Sequence, residues 1–366
     1  DRFTSLIITT IFHGIGILYS GYKDRSTLRS NEITEHSVFA YLLFKEFSPY
    51  PEFAEIILYQ YKKYGNNTTI DSIAVPDEAY LLSLAIDIAE VIVCNKKKDI
   101  NKKVAERIKE NGFKPEYKEA LQKLYEENAL GRIVTDEYKV ELLSYIGTVK
   151  LSKAEIMSLL RTFVYAVTFR SPYIFDHART METTVGILGQ ITKQNWNTME
   201  KVRAAALLYN IGMLTFDEKA FEKIHSPLEL HSLLTKAIKK TNTIFKEAEL
   251  ADVLGMFNAI IGEDTFSENH MLMGKDIISG ANMIKLADIL SLLMDQKCQK
   301  YEISCKDIFA ELKEISKTHD IFLPMIELME EYIEDIEARV KSSRADISKR
   351  YHNVISEFER LRPFLN

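Results

Sequence analysis

Apolar residues recur at intervals of three and four along almost the whole chain, and that spacing constrains the fold more than any other feature. The pattern runs through "EFAEIILYQYKKY" (52–64), "EAYLLSLAIDIAEVIV" (78–93), "MEKVRAAALLYNIG" (199–212) and "NMIKLADILSLLMD" (282–295). It puts one apolar stripe on each helix, and no segment alternates strictly enough to form a half-buried strand. With only 14 Gly and 8 Pro in 366 residues, little interrupts these segments. The expectation is an all-α fold of long helices joined by short loops.

The chain is long enough for about two domains. A net charge of −6 favours solubility and weighs against nucleic acid as a partner. The basic run "NKKKDINKK" (95–103) reads as a solvated loop. Cys94, Cys298 and Cys305 have neither the number nor the spacing of a disulfide framework or a zinc knuckle, which suits either a reducing compartment such as the cytoplasm or simply buried small residues. "FTSLIITTIFHGIGILYSGY" (3–22) carries no charge over a bilayer-spanning length, but His13, Gly14 and Gly16 interrupt it. A buried helix and turn is the expectation there. Membrane association would have to use this stretch or a segment preceding Asp1. The single tryptophan, Trp196, is expected to staple a loop against the helices.

An internal repeat organises these helices. "FHGIGILYSGYKDRS" (12–26) aligns with "LYNIGMLTFDEKAFE" (208–222), bringing Gly16 opposite Gly212. Four further segments follow in the same order in each copy, among them "EFAEIILYQYKKYG" against "LADVLGMFNAIIGE". The implied division is a first copy at 1–127 lacking its front helices, a helical connector at 128–151, and a second copy at 152–332. A C-terminal helix at 333–366 completes the chain. From Met329 to Leu361 its apolar or small residues follow a 4-3 spacing with one extra step of four, as in a heptad seam with a stutter. That seam suits either packing along its own chain or a coiled coil with a protein partner.

With the repeat in view, the order of motifs resembles the HD-GYP domain, a helical metal-dependent phosphodiesterase module of bacterial cyclic-di-GMP signalling. In the second copy "SPYIFDHARTM" resembles the opening helix, with His177 at the first ligand position. "YNIGM" stands at the His-Asp-Ile-Gly-Lys motif, so Tyr209 and Asn210 replace the dyad and Met213 the lysine. "SPLELHSLL" matches the His-Pro helix with Ser226 at the ligand position and His225 one residue early. "FNAII" replaces the paired His, and "KLADIL" keeps the acidic residue as Asp288. In the first copy "FHGIG" keeps His13 but has Gly14 for Asp and Ile17 for Lys, and "EHSVFAYLL" keeps His36. "YQYK" (59–62) replaces the paired His; Ile86 occupies the acidic position beside Asp87, and Phe113 and Pro115 match the closing motif.

The resemblance implies two degenerate HD-GYP-like domains in tandem. A dinuclear site needs several imidazole and carboxylate ligands converging on two metals that activate a water. Two surviving ligands per copy are too few, and Tyr, Asn, Ala and Ile do not replace the rest. His13, His36, His177, Asn210 and Asp288 are therefore relics of ligand positions rather than a catalytic, cofactor or metal site. A buried hydrogen-bonded set of His177, Asn210 and Asp288 is expected in their place. His319-Asp320 is an unrelated dipeptide on the closing motif. The function implied is a non-catalytic signalling or assembly scaffold that binds protein partners without a cofactor. One alternative is a degenerate cyclic-dinucleotide sensor. Another is a phosphodiesterase with a displaced site drawn from His225, His231, Glu263, Asp264 and His270.

Overall fold

A computed structural model describes residues 2–20, 30–95, 99–130, 138–169, 171–216, 219–220, 227–245, 250–261, 275–298, 305–317 and 323–365. Every regular element among them is helical. The chain divides into two compact units, Asp1–Leu159 with Val354–Asn366, and Leu160–Asn353.

The first unit contains α1 (Arg2–Phe12), α2 (Ile15–Ser20), α3 (Ser30–Phe47), α4 (Ala54–Leu58), α5 (Asp77–Cys94), α6 (Ile100–Lys109), α7 (Pro115–Glu126) and α8 (Tyr138–Thr148). The uncharged stretch at 3–22 is not one continuous helix. It breaks at His13-Gly14, and Ile8, Phe12 and Ile15 enter the core, where Phe12 meets Phe44 edge-on at 5.5 Å. Among the described residues one segment, Asp276–Met294, is long and apolar enough to cross a membrane, and 61% of it is buried inside the protein. A second apolar cluster joins α5, α6 and α7 through Leu84, Ile88, Val104, Ile108 and Leu121.

One helix is shorter than its periodicity predicts. The pattern at 52–64 continues through Tyr64, yet α4 ends at Leu58. Tyr59 accounts for the stop. Its hydroxyl donates to the carbonyl of Ile73 (2.7 Å) and accepts from the amide of Ile70 (2.9 Å), so the following segment folds back over it.

α9 (Lys153–Thr168) crosses the division between the units. The second unit then contains α10 (Pro172–Ile191), α11 (Trp196–Leu208), a 3-10 turn (Ile211–Thr215), α12 (Pro227–Phe245), α13 (Ala251–Ile261), α14 (Lys275–Cys298), α15 (Cys305–Ser316) and α16 (Leu323–Glu330). Asn195 caps α11 by accepting from the amide of Thr198 at 2.9 Å. Trp196 is the first residue of that helix and is 63% exposed, so it does not staple a loop as its size suggests. The cap already fixes the helix start, and the ring is left outside.

The two glycines matched by the repeat make the same contact. A Cβ on Gly16 would lie 1.9 Å from the carbonyl oxygen of His36 on α3, and one on Gly212 would lie 1.8 Å from that of Ala237 on α12. The preceding turn is closed alike in each: Ile17 N–H donates to Gly14 O and Met213 N–H to Asn210 O, both at 3.0 Å. In the second unit Thr241 Oγ1 accepts from the Gly212 amide at 2.8 Å, so the turn is fastened to α12 by a buried hydrogen bond.

α17 (Ile333–Leu361) is a single helix of 29 residues. Its seam residues Ile336, Val340, Ile347, Val354, Phe358 and Leu361 are buried within this chain. Through Asn353 the helix belongs to the second unit, where Tyr351 stacks on Phe169 at 4.3 Å and Arg344 Nε donates to Thr180 Oγ1 at 2.8 Å. From Val354 it belongs to the first, where Phe358 stacks on Phe39 at 3.9 Å. Segment 333–366 is thus no separate body, because its stripe is used up on its own chain. Phe358→Leu keeps an apolar but smaller side chain and removes the aromatic pair, and is expected to lower stability by about 1–2 kcal/mol in urea unfolding. An unchanged midpoint would mean that the last turns add nothing to the unit.

Candidate functional site

In the second unit α10, α11 and α14 pack on one another and bring three polar side chains together inside the core. His177 comes from the first half of α10, Tyr209 follows the last residue of α11, and Asp288 lies midway along α14. The Asp288 carboxylate accepts from His177 Nε2 through Oδ1 at 2.8 Å and from the Tyr209 hydroxyl through Oδ2 at 2.9 Å. All three residues are buried. Burial first, and then the Asp288 charge and its hydrogen bond, push the Tyr209 phenol well above the usual tyrosine range, so it stays a donor. A carboxylate with a hydrogen bond on each oxygen is satisfied well enough to stay buried.

This corrects one sequence expectation. His177 and Asp288 meet, as the motif alignment implies, but Asn210 is not the third member. Its side chain is fully buried, and neither its oxygen nor its nitrogen has a hydrogen-bond partner among the described residues. The neighbouring Tyr209 takes the place because its longer side chain spans from α11 to α14, whereas Asn210 stands at the N-cap position of the 3-10 turn without a side-chain cap hydrogen bond. His177 Nδ1 likewise has no partner among the described residues. Met213, at the lysine position, is buried. Phe257 in "FNAII" is fully buried, and Asn258 accepts from Asn242 at 2.5 Å.

The polar groups of the first unit are arranged differently. His36 on α3 is buried, with Nε2 2.7 Å from the Tyr61 hydroxyl. Gln60, also buried, donates to the backbone carbonyl of His13 at 3.0 Å. The imidazole of His13 turns back onto its own helix, Nδ1 lying 2.7 Å from the carbonyl of Thr10. At the acidic position Ile86 is buried as an apolar residue, while Asp87 beside it pairs with Lys63. Lys63 also lies 4.6 Å over the ring of Phe113, which is buried, and Pro115 starts α7. Tyr61 and Gln60, both in the "YQYK" segment that replaces the paired His, are thus the residues holding His36 and the His13 turn.

Sequence reasoning missed a further buried polar group. Glu182 on α10 pairs with Arg161 at 2.5 Å and with Arg179 at 3.0 Å, and Arg179 donates to the Tyr165 hydroxyl at 3.2 Å. Arg179 and Glu182 are three residues apart on α10, a spacing that sequence alone could flag, but Arg161 comes from another helix.

Among the described residues no group of three or more His, Cys, Asp or Glu side chains converges on one point. The displaced set falls largely outside the described residues: His225, Glu263, Asp264 and His270 do so entirely, and of His231 only the backbone in α12 is described. Ser226, "FSEN" and His319-Asp320 are outside as well. Searches among family models, curated proteins and solved structures found no match to this chain.

Proposed function

We propose that the chain is a tandem of degenerate HD-GYP-like helical domains that binds protein partners and does not hydrolyse phosphodiesters. One observation carries the reading: both oxygens of Asp288, the acidic residue retained by the motif, are engaged, one by His177 and one by the buried Tyr209 hydroxyl. A divalent metal at this point would have to displace or deprotonate a buried phenol, without the imidazole and carboxylate that the His-Asp dyad would have supplied. The matched contacts of Gly16 and Gly212, and the matched turns before them, support descent from a duplication. The binding role is supported by apolar side chains left on the surface of the first unit. On α8, Val140 (78%) and Leu143 (68%) are exposed, with Tyr145 beside Phe3.

Elemental analysis of the full chain purified without chelator tests the reading. Substoichiometric transition metal is expected, together with no turnover of bis(p-nitrophenyl) phosphate in added manganese or iron. About two metals per chain, or metal-dependent turnover abolished by Asp288→Ala, would overturn it.

A further inference from the structure

Beside the His36–Tyr61 pair the first unit contains a cavity of about 240 Å³, formed by α3, the segment after α4 and the chain end near Phe364. Ser37, Tyr59, Tyr61, Lys62, Thr69 and Phe364 contribute to its wall. The charges around it are mostly matched. Lys63 pairs with Asp87, Arg360 with Asp71 at 2.7 Å, and Arg362 with Glu35 at 3.9 Å.

Lys62 differs. Its ammonium donates to Asn66 Oδ1 at 3.3 Å, to Thr68 Oγ1 at 3.0 Å and to the Thr68 carbonyl, all neutral oxygens. No carboxylate pairs with it among the described residues. Partial burial alone pulls its pKa below the usual lysine value. Among the described residues, a cation partly stripped of water and held by neutral oxygens leaves the cavity with a positive potential that no paired carboxylate offsets. An anion brought there would gain more than it would at an exposed lysine. The neighbouring hydroxyls suit an oxyanion with several oxygens, and the aromatic rings suit an attached organic group.

We propose that this cavity binds a small organic phosphate, with the phosphoryl group at Lys62 and the organic part against Tyr59, Tyr61 and Phe364. The site draws Tyr59, Tyr61 and Lys62 from the "YQYK" segment, but its chemistry does not depend on the domain resemblance. Its volume lies below the roughly 300–1,000 Å³ of pockets for drug-sized ligands, which limits the ligand to about one ring or a short chain.

Calorimetric titration of the full chain with phenyl phosphate at low salt provides the test, with inorganic phosphate, benzoate and benzyl alcohol as comparators. Phenyl phosphate should bind at least about tenfold more tightly than inorganic phosphate or benzoate, and benzyl alcohol should not bind. Lys62→Gln should weaken phenyl phosphate about tenfold or more, while Lys62→Arg keeps most of the affinity. Phosphorus NMR line broadening of phenyl phosphate by the wild-type chain, reversed by salt, gives a readout that needs no variant to fold. The proposal fails if phenyl phosphate gives neither heat nor broadening, or if a folded Lys62→Gln binds it unchanged. It fails equally if benzoate binds as tightly, which would mark a carboxylate site, or if benzyl alcohol does, which would mark an apolar cavity.

Discussion

Gly212→Ala is expected to destabilise the protein by more than about 3 kcal/mol, and Gly16→Ala to act in the same direction. The added methyl would sit 1.8 Å from the Ala237 carbonyl oxygen in the first case and 1.9 Å from that of His36 in the second. Neither obstacle is the tip of a flexible side chain. Each is helix backbone, so relief requires moving α12 or α3 bodily away from its turn. For Gly212 that movement also stretches the buried hydrogen bond from its amide to Thr241. Gly14→Ala is the control, since nothing lies within 4 Å of a Cβ there, and a change below about 1 kcal/mol is expected. Urea midpoints of the three variants check the prediction. If Gly212→Ala unfolds where the wild type does, α12 and its turn are not in backbone contact.

The second large effect concerns Asp288. Asp288→Ala leaves the His177 Nε2–H and the Tyr209 hydroxyl buried without their shared acceptor, and opens a void between α10, α11 and α14. A loss of about 3–5 kcal/mol is expected. Tyr209→Phe removes one hydrogen bond and keeps the ring, so about 1–2 kcal/mol is expected there. The pair has a pH signature. The Tyr209 phenol is raised well above its ordinary value of 10.0, so its contribution is fully present below about pH 10 and fades as pH rises beyond that. Unfolding free energy should therefore fall above about pH 10, with Tyr209 supplying up to about 1.4 kcal/mol per pH unit. Tyr165, buried beside Glu182, is raised as well and adds to the slope. Tyr209→Phe should flatten the alkaline limb of urea unfolding measured from pH 8 to 11. An unchanged limb would mean that Tyr209 does not stay protonated in the core.

The helical stretches around 78–93 and 282–295 appear as α5 and α14, since their apolar spacing states both the period and the buried face. His177 and Asp288 were legible as neighbours through the order of motifs, although nothing near either residue in the chain indicates the other. The motif makes Tyr209 a lost ligand and Asn210 a hydrogen-bond partner, whereas in the structure it is Tyr209 that bonds Asp288. At Tyr59 the apolar pattern continues past the point where the helix stops, because hydrogen bonds to residues 70 and 73 outweigh local helix preference.

Sequence alone determined that the chain is helical, which face of each helix is apolar, and that α17 carries a continuous seam. Those properties repeat every three or four residues and need no knowledge of distant neighbours. Tertiary structure alone decided what the seam packs against and which hydroxyl completes the buried carboxylate, through contacts spanning 111 residues for His177–Asp288 and 79 for Tyr209–Asp288. The reason is physical: periodicity specifies a surface, whereas a hydrogen bond needs two atoms brought within 3 Å by the packing of every helix between them.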